Sequence, residues 1–353
     1  MAISAEVLLL FLLVSVSTQR YKFNQYFRFL PYFLIFIFMA IRADFGDGST
    51  YRAEFENLQN GNNWRNWEPL WVALNRLMPN FRAVIIVTSL IYVLAFYYVI
   101  SKTLSYKQRP LALAVLMIHP YILMVDMSAM RQSIAIAIIM LGAYTANKYR
   151  GFYFIPFCLL AALFHKSAIV LLPIVVLFNQ KPFSRKIKWG IFGGTIFFLT
   201  FHNVLFRLLY NMMTAAKLYY YYREYLYGAA QNGKLAVILS LIMLAFLLLC
   251  GDVVSGTNAI YVKLSVLAMA LEAMQGCVQQ LGRIDMYFLP FMVLALPLIL
   301  KEKYLKIQFF HRSIVVNQYG CWIVQACLLA MFAKKLMGFM TPQYMYHTIF
   351  TIG

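Results

Sequence analysis

Residues 129–146, AMRQSIAIAIIMLGAYTA, form an apolar run in which Arg131 is the one charged residue. A helix needs about 20 mostly apolar residues to cross a bilayer, and shorter runs cross when flanking side chains reach the interface. Ionisable groups close to hydrocarbon are rare and tend to mark substrate pathways. The run therefore predicts a transmembrane helix with a polar site at its N-terminal end.

The composition of the whole chain favours a membrane protein. Of its 353 residues, 63% are hydrophobic and 12% are charged, and the mean hydropathy is +0.70. Water would not solvate such a chain as a soluble globule. No charged N-terminal region leads to a cleavage site, so we interpret the apolar run at 7–16 as a retained helix. We expect residues 1–353 to form a single integral membrane domain.

The metal-ligating residue types show no pattern that indicates a metal site. No pair of the five cysteines has the Cys-x-x-Cys spacing of zinc sites, and the outer-loop acids contain no Asp-x-Asp motif. All the cysteines lie in apolar runs, where small core residues are expected. They are Cys158, Cys250, Cys277, Cys321 and Cys327. We expect neither a metal nor a cofactor.

Hydropathy predicts an all-α fold of about twelve transmembrane helices. They lie near 2–17, 29–41, 81–100, 110–126, 129–146, 152–164, 168–180, 189–206, 235–250, 260–277, 285–300 and 313–332. In addition, the stretch 67–79 is interpreted as a surface or re-entrant helix.

Lysine and arginine predict the orientation, because cytoplasmic loops carry an excess of both. Six alternate connections contain 17 of them against two acids, Asp252 and Glu302. These connections are 18–28, 101–109, 147–151, 181–188, 251–263 and 301–312. We assign them to the cytoplasm. Most of the net charge of +19 then reflects topology rather than a nucleic-acid surface, for which no folded motif is present.

With this orientation, four polar clusters emerge together at the extracytoplasmic face. They are residues 42–51, 130–132, 164–167 and 281–283. A long outer loop runs from 42 to 68, with turns predicted at its Gly- and Asn-rich stretches. We therefore expect the functional site to face the outside of the membrane.

Arg131 is predicted to lie in the first turn of its helix, with Ser128 as the N-cap. A cation there opposes the helix dipole. An anionic ligand would remove this conflict, because the arginine fork and the free amides of the first turn would meet the same charge. The alternative is a structural pair with Asp126, five residues earlier.

His165 and Lys166 lie at a tight turn between two predicted helices, and Ser167 is placed to cap the second. Histidine can move a proton near neutral pH or donate to a phosphate oxygen, and lysine supplies a point charge. We expect both to belong to the site. An isolated histidine is more often a core residue, which is our interpretation of His119, His202, His311 and His347.

Arg283 lies at the mouth of another predicted helix. We interpret it as a second arginine for the same anion, since a pyrophosphate carries enough charge for two or three cations. The alternative is a pair with Asp285. Glu272, in the preceding helix, is placed to orient Arg283.

Asp47 and Glu68 are the preferred acids of the outer loop as a general base. Glycines flank Asp47, and tryptophans, which suit sugar binding, surround Glu68. These tryptophans are Trp64, Trp67 and Trp71. Their alternative role, shared with the tyrosine-rich run at 219–225, is an interfacial aromatic belt. The sequence leaves Asp47, Glu68 and His165 all open as the base.

An ordered series of short motifs covers nearly the whole chain. It comprises Arg42 with Gly46-Asp47 and Tyr51, Glu68-Pro69-Leu70, Met130-Arg131-Gln132-Ser133-Ile134-Ala135, Phe164-His165-Lys166-Ser167-Ala168, Gly282-Arg283 with Tyr287, and Pro342 with Tyr344. In order and spacing the series resembles the EpsG-like and O-antigen polymerase (Wzy) family of bacterial polysaccharide assembly.

The resemblance implies a GT-C-type glycosyltransferase at the periplasmic face of the bacterial inner membrane. Such an enzyme transfers a growing glycan from undecaprenyl pyrophosphate to a lipid-linked repeat unit, without a metal or cofactor and alongside a chain-length co-polymerase of the Wzz type. The implied catalytic residues are His165, Asp47 and Glu68. The implied pyrophosphate-binding residues are Arg131, Arg283, Lys166 and Arg42. The implied sugar- or acceptor-binding residues are Gln132, Tyr51, Trp67 and Tyr344.

Other membrane functions use similar chemistry. A lipid-linked oligosaccharide flippase or transporter would place titratable groups near the bilayer midplane, whereas the clusters lie at one face. A membrane acyltransferase would open its histidine towards the cytoplasm. An O-antigen ligase uses the same donor and differs in its acceptor, and the order of the motifs favours the polymerase.

Overall fold

A computed structural model describes residues 29–43, 45–63, 67–215, 234–275, 277–278, 281–300, 304–309 and 312–339. The predicted helix at 2–17, Trp64, the tyrosine-rich run at 219–225 and Tyr344 lie outside these residues.

The described chain is predominantly helical. Its α-helices, in chain order, are α1 Leu30–Ala40, α2 Gly48–Gln59, α3 Pro69–Leu77, α4 Phe81–Thr103, α5 Arg109–Ile118, α6 Leu123–Ser128, α7 Met130–Lys148, α8 Phe154–Ala162, α9 Arg185–Ala215, α10 Lys234–Cys250, α11 Ala259–Gln275, α12 Leu281–Asp285, α13 Met292–Ile299 and α14 Gln318–Phe339. Short 3₁₀ helices cover Gly151–Tyr153, Gly251–Val253, Gly256–Asn258 and Leu289–Phe291, and a long one covers Lys166–Leu177.

The helices have the composition of a membrane protein. Within the described residues, four stretches are long and apolar enough to cross a bilayer: Phe81–Thr103, Lys234–Val253, Gly256–Gln275 and Tyr319–Met337. Five shorter apolar helices accompany them. The expected helical membrane architecture is therefore confirmed, whereas twelve crossings and a GT-C-type fold remain predictions.

Prolines divide two of the predicted helices. The segment 110–126 was expected to be continuous, but α5 ends at Ile118 and α6 begins at Leu123, with Pro120 between them. The segment 285–300 likewise divides at Pro290, which lies in a 3₁₀ turn before α13. Proline lacks an amide proton and disfavours helical geometry in the residue before it, which explains both breaks.

The predicted helix at 313–332 begins later than expected. Residues Tyr304–Phe309 form strand β1 and Arg312–Asn317 form strand β2, paired antiparallel with Tyr304 opposite Asn317. Helix α14 starts only after β2. The β-branched run Ile314-Val315-Val316 favours a strand and explains the shift. The prediction of an all-α fold is therefore corrected by this β-hairpin.

The outer loop from 42 to 68 folds further than predicted. Turns occur as expected, with positive φ at Gly46 and Gly61. Between them lies α2, a helix that the turn signals did not predict. Its buried apolar residues Tyr51, Phe55 and Leu58 have helical spacing, which is the signal that could have revealed it. Helix α3 lies within the stretch 67–79, which was predicted as a surface or re-entrant helix.

Helix α7, which begins beside Arg131, lies in the core of the bundle. Its side chains from Ile134 to Met140 are buried, and it packs against α4 and α8. A Cβ atom added to Gly142 would lie 2.5 Å from the Cβ of Phe157 on α8. This close approach fixes the helix that presents Arg131.

Candidate active site

An ion pair between Arg131 and Glu68 forms the centre of the polar cluster. The Nη1 atom of Arg131 donates to Oε2 of Glu68 over 2.6 Å. The Arg131 side chain is 13% exposed and the Glu68 side chain 6%. Arg131 is the second residue of α7, and Glu68 directly precedes α3. The loop acid and the arginine of the central helix, 63 residues apart in sequence, are thus held together.

Aromatic rings hold the guanidinium group of Arg131. Its central carbon lies 3.7 Å from the centre of the Trp67 ring and 6.0 Å from that of Tyr51. The Tyr51 ring meets the buried Trp71 edge to face at 5.6 Å. Such contacts attract a cation and restrict its orientation. Trp71 is therefore a core residue, while Trp67 belongs to the site.

His165 and Lys166 approach the other oxygen of Glu68. The backbone amide of Lys166 donates to Oε1 over 3.1 Å, and Nδ1 of His165 lies 3.6 Å from the same atom. Both residues lie at the start of the 3₁₀ helix Lys166–Leu177. The Lys166 side chain is exposed. Its amide therefore holds the carboxylate while its ammonium group stays accessible.

The surroundings of Glu68 favour its charged form. Burial by itself would raise the pKa, but the interactions with His165, the Lys166 amide and Arg131 outweigh burial and lower the pKa to about 2. Glu68 therefore stays ionised at neutral pH. Its role is to hold Arg131 and the 3₁₀ helix in place.

Arg283 joins the cluster through its backbone. The side-chain amide of Gln132 on α7 donates to the carbonyl oxygen of Arg283 over 2.7 Å, and the Arg283 side chain is exposed. A second contact joins the segments that contain Lys166 and Arg283, because the hydroxyls of Ser167 and Tyr287 are 3.0 Å apart. The predicted segments at 130–132, 164–167 and 281–283 therefore meet at one end of the bundle.

Asp47 is placed beside the cluster by a backbone contact. Its amide donates to the hydroxyl of Ser128 over 3.0 Å, and its side chain is exposed at the start of α2. The predicted N-cap role of Ser128 is therefore wrong, since Ser128 ends α6 and Ala129 occupies the cap position of α7. The first-turn position of Arg131 is confirmed.

Two other predicted features have different partners in the structure. The buried Arg42 side chain donates to the carbonyl of Met39 and, over 3.0 Å, to the hydroxyl of Ser89. Arg82 donates to the carbonyl of Arg42. Ser167, predicted as a helix cap, bonds Tyr287 instead, and His165 occupies the cap position.

The alternative pairings of the arginines do not form within the described residues. Arg131 pairs with Glu68, and the buried Asp126 has no hydrogen-bond partner there for either carboxylate oxygen. Asp285 is buried while Arg283 is exposed. Glu272, expected to orient Arg283, instead forms a 2.7 Å ion pair with Lys335 on α14. Lys335 was not identified from sequence, because only the fold brings it to α11.

Two polar atoms of the cluster keep unused hydrogen-bonding capacity. Nε of Arg131 and Nδ1 of His165 are buried and have no hydrogen-bond partner in the described part of the chain. Buried polar groups are normally satisfied, so unpaired groups call for a ligand, a water molecule or an ion. The exposed side chains of Lys166 and Arg283 lie on the same segments. The arrangement can bind an anion and offer an imidazole next to it.

The chain is similar to a known protein family. The model of the EpsG family matches residues 25–341 of the chain, a range that contains every predicted site residue except Tyr344. No significant match was found to a curated protein or to a solved structure.

Proposed function

The chain belongs to the EpsG family, and on this premise we propose that it is a polysaccharide polymerase that transfers a growing glycan from undecaprenyl pyrophosphate to a lipid-linked repeat unit. The observation that carries the proposal is Arg131, which is fixed by Glu68 and Trp67 yet keeps an unpaired Nε. A pyrophosphate leaving group requires such a positioned cation.

In the proposed reaction, the acceptor hydroxyl oxygen bonds to the anomeric carbon of the donor glycan. The bond from that carbon to the pyrophosphate oxygen breaks, and the hydroxyl proton passes to a base. Negative charge develops on the leaving oxygen. Arg131, with Arg283 and Lys166, would stabilise this charge, which is usually the largest contribution to such a step.

We assign the proton transfer to His165 or Asp47 rather than to Glu68. A carboxylate with a pKa of about 2 that already accepts from Arg131 and the Lys166 amide is a weak base. His165 lies next to it, with Nδ1 3.6 Å from Oε1 of Glu68, and the Asp47 side chain is exposed. Glu68 becomes a positioning residue that orients Arg131.

The aromatic residues of the site suit the acceptor sugar. Trp67 and Tyr51 offer rings, and Gln132 offers an amide, beside Arg131. Sugar rings present CH faces that pack on aromatic side chains and hydroxyls that bond amides. We include Tyr344 and Arg42 in the substrate-binding set as predictions from the motif order.

The cellular setting is part of the proposal. We place the polymerase in the bacterial inner membrane as one domain of about twelve crossings with a GT-C-type arrangement, its site facing the periplasm. A chain-length co-polymerase is a proposed partner. The arginines would neutralise the pyrophosphate, so no metal is assigned a role.

Surface polysaccharide displayed by length tests the function. The Arg131→Ala variant is expressed in a strain that lacks the gene. It should leave single repeat units attached to their lipid acceptor, because polymerisation fails while export and ligation continue. A flippase would leave no repeat units, and a ligase would leave polymer unattached. A full ladder from both Arg131→Ala and Arg283→Ala would refute the pyrophosphate site.

A reporter fusion tests the orientation separately. A topology reporter placed in the connection 181–188 should be active on the cytoplasmic side. Periplasmic activity there would invert the assignment and move the site to the cytoplasm.

A further inference from the structure

A polar cavity lies far from the candidate active site. It has a volume of about 300 Å³ and lies between the start of α5, the end of α13 and the start of α14. Helix α4 begins beside α2 and ends at Thr103, where Arg109 of α5 donates to the carbonyls of Ser101 and Leu104. A helix of this length spans about 34 Å. The cavity and the Arg131 site therefore lie at opposite ends of the bundle.

The wall formed by α5 is polar and fixed. Lys107 and Gln108 line the cavity. The side-chain amide of Gln108 donates to the carbonyl of Pro297 over 2.8 Å, and its oxygen accepts from the amide and hydroxyl of Ser105. These bonds join the ends of α5 and α13. The cavity is thus formed before a ligand binds.

The wall formed by α14 indicates the depth of the cavity. Trp322 lines the cavity, is 55% exposed and contacts the 72% exposed Tyr319 edge to face. Exposed tryptophan and tyrosine at a helix start are typical of the level of lipid headgroups. Gln325 adds a polar group one turn further along α14.

The remaining wall is apolar. Leu111, Pro297 and Leu300 line it. A ligand in this cavity therefore meets a cation and amides at one side and hydrocarbon at the other. A small hydrophilic anion would use only the first of these surfaces.

The charge of the adjoining connection favours an anion. The connection 101–109 contains Lys102, Lys107 and Arg109 and no acid. Basic pockets between transmembrane helices at the cytoplasmic side suit phosphate-bearing lipid headgroups.

We propose that this cavity binds the phosphate headgroup of an anionic phospholipid, with Lys107 contacting the phosphate and Trp322 covering the upper acyl chain. The site is independent of the proposed polymerase reaction. It would hold the ends of α5, α13 and α14 together from the cytoplasmic side.

Lipid-dependent thermal unfolding of the purified full-length chain tests the proposal. Phosphatidylglycerol added to the detergent should raise the unfolding temperature more than phosphatidylcholine does. Lys107→Gln should bind phosphatidylglycerol about fivefold more weakly, because it removes the lysine that lines the cavity and a contact worth about 1 kcal/mol. Lys102→Gln is the matched control, because Lys102 is exposed in the same connection but does not line the cavity.

Gln325→Glu provides a second variant of nearly unchanged shape. Its added negative charge should weaken phosphatidylglycerol binding and leave the effect of phosphatidylcholine unchanged. Equal responses of Lys107→Gln, Lys102→Gln and the unmodified chain would overturn the proposal. So would full stabilisation by inorganic phosphate without lipid, which would identify a free anion as the ligand.

Discussion

Two ion pairs in this molecule have almost the same length and different surroundings. Arg131 and Glu68 are 2.6 Å apart, and Lys335 and Glu272 are 2.7 Å apart. The first pair lies among exposed cations and leaves Nε of Arg131 unpaired. In the second pair Lys335 also donates to the hydroxyl of Ser240, and its two members are 5% and 1% exposed.

The difference separates the proposed binding site from an internal ion pair. A short ion pair alone identifies neither. The binding role proposed for the Arg131 pair rests on the unpaired Nε and on the exposed side chains of Lys166 and Arg283 in neighbouring segments. The Lys335 pair joins α14 to α10 and α11 in the interior. Substitutions at the first pair should change activity, and substitutions at the second should change stability.

The largest effect on activity is expected from Arg131→Lys. The change keeps the positive charge but removes the planar guanidinium group with its paired N–H donors. Removal of one group that stabilises the charge of a transition state costs about 10²- to 10³-fold in rate. The measurement is polymer formed per unit time by purified protein from a lipid-linked repeat unit. Arg76→Lys, on the exposed surface of α3, is the control and should keep normal activity. An equal rate for the two variants would contradict the role of Arg131.

Lys335→Met should cause the largest effect on stability. It leaves the Glu272 charge buried without its cation, and breaking a buried pair costs about 3–5 kcal/mol. Thermal unfolding in detergent measures the loss. The double variant Glu272→Gln with Lys335→Met should recover most of it and keep polymerase activity. A double variant as unstable as the single one would argue against an internal ion pair.

Acid should weaken the folded state through Glu68. Its folded pKa of about 2 is below its unfolded value, so its contribution is present above the unfolded pKa and lost as the pH falls towards 2. The contribution is on the order of 3 kcal/mol. Unfolding measured between pH 6 and pH 2 should show this loss, and Glu68→Gln should lack that part of the pH dependence. Identical profiles would exclude a stabilising Glu68 charge.

Trp67→Leu should have the smallest effect. Loss of the cation–π contact with Arg131 costs about 1 kcal/mol, or about fivefold in substrate affinity. Trp67→Phe should keep part of the affinity, because its ring can still face the guanidinium group. The measurement is the KM for the lipid-linked repeat unit, with Trp189→Leu on α9 as the control. A change confined to kcat would show that Trp67 acts after binding.

Hydropathy and loop charge predicted that the site segments share one face, and in the structure 130–132, 164–167 and 281–283 do meet. The alternation of the helices across a membrane stays a prediction. The first-turn position of Arg131 and a short helix within 67–79 also followed from local patterns. These features depend on local sequence, and the structure contains both.

Partners across the fold were not predictable in this way. The pairing of Arg131 with Glu68 over Asp126 depends on where the fold places the residue that precedes α3, and Lys335 of α14 reaches Ser240 of α10 and Glu272 of α11 only in the folded chain. Helix α2 was not predicted because the glycine and asparagine residues around it were interpreted as turns. The helical spacing of Tyr51, Phe55 and Leu58 was therefore not considered. Contacts between residues on distant helices occur at no fixed separation in sequence, so a pattern read from one sequence does not reveal them.

The 3₁₀ geometry of Lys166–Leu177 makes this segment longer than an α-helix with the same number of residues. A 3₁₀ helix rises about 2.0 Å per residue, so its twelve residues cover about 24 Å, whereas the same residues as an α-helix would cover about 18 Å. The hydrocarbon core of a bilayer is about 30 Å thick. The segment thus reaches most of that length with fewer residues than an α-helix would need, and its first residue, Lys166, lies at the end where Glu68 lies.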